Sequence, residues 1–165
     1  MDILLEFSQI KFFSLYGLIA AIVILIPNFA FAKKGQKNRP DDVDSCGAGI
    51  CFLELLSRAV LTIVLICIRM PLSHIGFGLA AAVALIVYYC LWINFFRSGS
   101  NYPDIYVNRF LGLPVPFDVF RNVYFICISL WLSNFYALIA AVVYACCNLA
   151  NAVKAMKDLS SRKLS

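Results

Sequence analysis

The sequence predicts an all-α, polytopic membrane protein with four transmembrane helices in a compact antiparallel bundle. Three observations carry this. Hydrophobic residues make up 62% of the 165-residue chain and charged residues 14%, whereas a soluble domain carries about 25% charged residues. The mean hydropathy is +0.85, more apolar surface than so short a chain can hide from water. The apolar residues also gather into four runs, over about 10–32, 48–70, 75–96 and 120–150. At ~1.5 Å rise per residue each run can cross a ~30 Å hydrocarbon core as one helix. No run alternates with the period of two that a membrane barrel requires. A single membrane domain over 1–165 is therefore expected.

The first span passes Gly17, Ala20 and Ala21 and meets Pro27-Asn28, a pair expected to kink it. Ala30-Phe31-Ala32 has the small-x-small form of a signal-peptidase site. The start of the chain lacks a basic n-region, however, and the apolar run exceeds an ordinary signal core, so the segment is read as a retained span. Residues 33–45 are polar, charged and Pro-containing, as a solvated loop should be. Asp44 or Ser45 can cap the second span, which stops at Pro71. Only Pro71, Leu72, Ser73 and His74 then precede the third span, which enforces an antiparallel hairpin.

Small residues recur at a spacing of four in the third span (Gly76, Ala80, Ala84) and in the fourth (Ser133, Ala137, Ala141, Ala145). Such rows let helix backbones approach in lipid, and they are the faces through which a homodimer or a partner membrane subunit is expected to pack. The 97–118 connection mixes Tyr102, Tyr106, Phe110 and Phe117 with Asp104, Arg109 and Asp118, a composition suited to lying in the head-group layer. Tyr88, Tyr89, Trp92, Phe95 and Phe96 anchor the third span at the same face.

The net charge of +5 comes largely from basic residues flanking spans, where anionic head groups lie, so nucleic acid is not an expected partner. Four spans place both termini on one side. Lys33, Lys34, Lys37 and Arg39 after the first span compete with Lys154, Lys157, Arg162 and Lys163 after the last. Asp41, Asp42 and Asp44 dilute the loop, which points to cytoplasmic termini and a multi-pass place in the cell (inner) membrane.

Glu54 and Arg58 are the most informative polar residues within any span. Four apart with Glu first, they can pair on one helix face, and intramembrane charges normally face a bundle interior, a partner or a water-filled cavity. The pair is expected to fix the second helix or to contact a small solute, lipid or partner helix. Asn94 and Asn134 are further binding candidates, although bridging helices is the commonest use of such residues, Asn148 and Asn151 included. Cys46 and Cys51 enclose Gly47-Ala48-Gly49-Ile50. A disulfide between them requires an oxidising face, and the spacing is neither that of a thioredoxin motif nor that of a zinc knuckle. His74 is the sole histidine, and no HExxH, GxSxG or Gly-rich phosphate loop occurs. No catalytic residue, metal or cofactor is expected.

Ile26-Pro27-Asn28, the basic loop, Glu54 and Ser57-Arg58 together resemble small four-span membrane proteins of Gram-positive bacteria to which no function is assigned. The resemblance runs from the first span to the second; it implies a four-helix fold in a bacterial inner membrane and no activity. The reading from the residues is a non-enzymatic carrier-like protein or accessory subunit. Its alternative is a membrane thiol–disulfide redox protein using Cys46 and Cys51.

Overall fold

The computed structural model describes residues 11–34, 40, 43, 46–69, 72 and 75–162. Its helices are α1 (Leu15–Lys34), α2 (Ala48–Cys67), α3 (Ile75–Arg97), the single turn α4 (Asp104–Val107), α5 (Pro116–Trp131) and α6 (Phe135–Arg162). Four of these, α1, α2, α3 and α6, are long and apolar enough to cross a membrane. The molecule is an all-α helical bundle and a multi-pass membrane protein. A two-residue antiparallel pairing of β1 (Lys11–Phe12) with β2 (Ile68–Arg69) ties the approach to α1 to the exit from α2.

The stretch expected as one span over 120–150 is two helices. Ser133 takes a left-handed backbone (φ 51), which ends α5. Asn134 then accepts a hydrogen bond from the Ala137 backbone N–H on its Oδ1 (3.0 Å), capping the start of α6. Ser133 thus belongs to a turn and not to a small-residue face. Ala137 and Ala141 are fully buried and Ala145 nearly so, so this row packs within the molecule; on α3 the buried positions include Ala81 and Ala84, while Gly76 and Ala80 face outward.

Contacts fix the direction of each rod. At one end, here the hairpin end, Lys11 pairs with Arg69, Tyr16 meets Trp131 edge-on, Gly78 lies against the Trp131 indole, and Asn134 donates to the Val64 carbonyl at 3.3 Å. At the other end Phe31 packs on Trp92, Trp92 on Phe117, and Asn148 on Glu54. The helices α1, α2, α3, α5 and α6 therefore alternate in direction, and α5 follows α3 from end to end. Lys11 lies at the hairpin end, whereas α6 leaves through the opposite one. The first and last described residues therefore lie at opposite ends of the bundle, because breaking the last apolar stretch adds one traverse of it.

The helix α5 is also the most enclosed. Phe117, Tyr124, Phe125 and Ile128 are buried together with the polar Asp118, Asn122 and Ser129, which a lipid-facing helix could not carry at low cost. The α1 kink position is satisfied by a neighbour: Pro27 has no N–H to give to the Val23 carbonyl four residues back, and the Tyr89 hydroxyl donates to that carbonyl at 2.7 Å.

Candidate functional site

A chamber of about 490 Å³ opens at the end of the bundle opposite the hairpin, walled by Glu54 of α2, Tyr88 and Trp92 of α3, Asp118 and Arg121 of α5, and Asn148 and Asn151 of α6. Asn28 of α1 lines it as well, so all five long helices deliver polar groups to one space. The 97–118 connection does not simply rest along the head groups, because Ile105 is buried and Tyr102, Ile105 and Tyr106 form part of the chamber wall. The Tyr102 hydroxyl donates to that of Tyr106 at 3.5 Å. Burial, and then the neighbouring Tyr102, push the Tyr106 phenol well above its ordinary range, so it stays a neutral hydrogen-bonding group.

Glu54 is the anchor. Asn148 Nδ2 donates to its Oε1 at 3.0 Å and Asn151 Nδ2 donates to its Oε2 at 2.7 Å. Each amide is aimed by a further bond: Asn148 Oδ1 accepts from Asn122 Nδ2 at 3.0 Å, and Asn151 Oδ1 accepts from the Cys46 backbone N–H at 3.1 Å. A carboxylate offers about four lone-pair sites, and two donors leave acceptor capacity free for a third group. Alongside, Asp118 pairs with Arg121 at i,i+3 on α5, and the guanidinium sits over the Tyr144 ring at 5.6 Å. Asp118 stands in the first turn of α5, where a negative charge is favoured by the helix dipole.

The Glu54–Arg58 pair expected from the sequence is not formed. The α6 amides hold the Glu54 carboxylate, while Arg58 is exposed and has no acid within ion-pair distance among the described residues. Arg58 is the eleventh residue of the twenty in α2, a helix long and apolar enough to cross a membrane, and an unpaired Arg at the centre of such a helix costs ~2.5–3.5 kcal/mol on insertion scales. Spacing alone predicted the partner wrongly, because the α6 amides reach Glu54 from across the interface.

Asn94 is exposed, on a small hollow with Ser98, Asp104 and Arg109, apart from the chamber. Asn134 is buried at the hairpin end, donating to the Val64 and Ile68 carbonyls at 3.3 and 3.4 Å, a structural use. Cys46 and Cys51 are free thiols; Cys46 Sγ donates to the Ala150 carbonyl at 3.3 Å, and Cys51 Sγ lies 3.9 Å from Asn151 Oδ1. No group of His, Cys, Asp and Glu suited to a metal ion occurs among the described residues. His74 and most of the 33–45 loop lie outside the described residues, although Pro40 and Val43 of that loop line the chamber.

The residues that sequence reasoning missed are Arg121 and Asn122; Asp118, Asn148 and Asn151 were visible but had been given to the connection and to helix bridging. A signal was present: Asp118 and Arg121, like Asn148 and Asn151, are three apart and share a helix face. Comparison with protein-family models, curated proteins and solved structures finds no match to this chain.

Proposed function

We propose that this chain is a non-enzymatic, carrier-like membrane protein or accessory subunit of the cell membrane whose chamber takes a small polar solute carrying a positive group. The observation that supports this most directly is the Glu54 carboxylate, oriented by Asn148 and Asn151 into a space of about 490 Å³. In the same wall Asp118 is neutralised by Arg121, so Glu54 is the acid left for a cation. Tyr88, Trp92 and Phe117 supply the aromatic faces over which an organic cation is stabilised. No observation favours the thiol–disulfide alternative, since neither Cys46 nor Cys51 is directed at the other.

The reading includes an orientation. With α5 as a fifth crossing of ~24 Å, Lys33, Lys34, Arg97, Arg109, Lys154, Lys157 and Arg162 among the described residues fall on the chamber side, against Lys11 and Arg69 on the hairpin side. The loop and tail that compete under four spans agree under five, and the excess of positive charge assigns the chamber to the cytoplasmic face.

Trp92 lines the chamber and Trp131 lies at the far end, so in a Trp131→Phe background the fluorescence of Trp92 reports on the site. Choline chloride should change that emission saturably, sodium acetate should not, and Glu54→Gln should abolish the response. An equal response to acetate, or none to choline, would overturn the reading.

A further inference from the structure

A second cavity, of about 630 Å³, lies between α1 and α2 and opens sideways along the bundle. Its walls are mostly apolar and largely exposed, with Leu25 and Phe29 on one side and Leu55 and Ile63 on the other, and with Asn28 and Thr62 as uncharged polar groups. Its charged residues are two arginines, Arg58 on the rim and Arg121, which also lines the chamber. The charges are thus segregated. Glu54 and Asp118 line the chamber at the end of the bundle, and the lateral cleft has Arg58 and Arg121 with no acid among its lining residues.

We infer that the lateral cleft is a binding site for an anionic lipid, its phosphate held by Arg58 with Arg121 behind it and one acyl chain laid along Phe29 and Ile63. Three observations meet there. Arg58 sits mid-helix and exposed, with no acid within ion-pair distance among the described residues. A guanidinium at bilayer depth demands an anionic partner, and it binds phosphate through its planar fork of donors. Arg121 Nε is buried without a hydrogen-bond partner among the described residues, so the floor of the cleft keeps a donor beyond those engaged by Asp118. The walls are apolar side chains that lipid already bathes, so a ligand entering from the bilayer leaves no aqueous phase and gains the charge pairing directly. A soluble anion would have to be drawn into the hydrocarbon layer to reach the same arginine. The cleft shares Arg121 with the chamber, but its test turns on Arg58, which the chamber's proposed cation specificity does not use.

The test is thermal unfolding of the purified protein in neutral detergent with phosphatidylglycerol, phosphatidylcholine or inorganic phosphate added. A charge-assisted pairing should favour phosphatidylglycerol over phosphatidylcholine by roughly tenfold in apparent affinity. Arg58→Gln should reduce this preference to near unity and Arg58→Lys should keep part of it, while inorganic phosphate should give no protection. Ala59→Trp, which fills the cleft without changing charge, should weaken the binding of both lipids. The inference is overturned if the wild type shows no preference for phosphatidylglycerol, if Arg58→Gln keeps it in full, or if inorganic phosphate protects equally. Cross-linking of two copies through a cysteine placed at Phe29 would also overturn it, since a partner helix would then fill the cleft.

Discussion

The Tyr89 hydroxyl donates to the Val23 carbonyl at 2.7 Å, at the carbonyl that Pro27 leaves without its helical partner. A proline inside a membrane helix is tolerable where a neighbour satisfies the freed group, and here α3 supplies the donor to α1. Tyr89→Phe should cost roughly 0.6–1.5 kcal/mol. In a Pro27→Ala background the N–H returns to the helix, and the same substitution should cost almost nothing. Chemical denaturation in detergent across this double-mutant cycle measures the coupling; equal costs in both backgrounds would show that Tyr89 does not serve the proline.

At Gly17 the backbones of α1 and α2 come close together. A Cβ built there would stand 1.7 Å from the Leu65 carbonyl oxygen, so the two backbones cannot keep their separation with any larger residue. Gly17→Ala should therefore lose at least the ~1–3 kcal/mol typical of overpacking. Gly76→Ala is the control: a Cβ there meets nothing within 4 Å, and the change should be neutral or stabilising by up to ~1 kcal/mol. Similar melting shifts for the two variants would contradict this packing.

Glu54 and Arg58 should behave as independent residues. Asn151→Ala removes the shortest bond to the Glu54 carboxylate and should cost about 1–3 kcal/mol. In neutral detergent Arg58→Leu should stay within ~0.5 kcal/mol of wild type, as expected for a surface position. The Glu54→Leu and Arg58→Leu effects should then add to within about 0.5 kcal/mol. A double variant markedly more stable than the sum of its parts would restore the direct ion pair.

The helical membrane class was legible because it depends on composition and run length, which the bilayer reads directly. Pro27 and Glu54 were legible as features, but their partners Tyr89, Asn148 and Asn151 lie 62, 94 and 97 residues further on, distances at which helical spacing carries no information. The break at Ser133-Asn134 was obscured because small and amide residues also serve inside membrane helices, so hydropathy carried the apolar run across it. Arg121 escaped notice for a related reason: at the edge of an apolar stretch nothing in the sequence distinguishes it from a flanking cation, and burial by α3 and α6 appears only once α5 is placed between them.

If α5 crosses the bilayer, that break decides the topology. Under four spans a reporter in the 33–45 loop and one after the C-terminus belong on opposite sides of the membrane. With α5 running antiparallel to α3 and α6 returning beside α2, both positions leave from the chamber end. The 98–115 connection leaves from that end too, since Trp92 and Phe117 meet there. Phosphatase and fluorescent-protein fusions at the three positions should accordingly report one compartment, the cytoplasm by the distribution of positive charge. A reporter at Leu72, in the α2–α3 turn, should report the other. If the loop and the C-terminal fusions disagree, α5 does not cross the bilayer, the chamber does not face the cytoplasm, and the orientation argued from the basic residues falls with it.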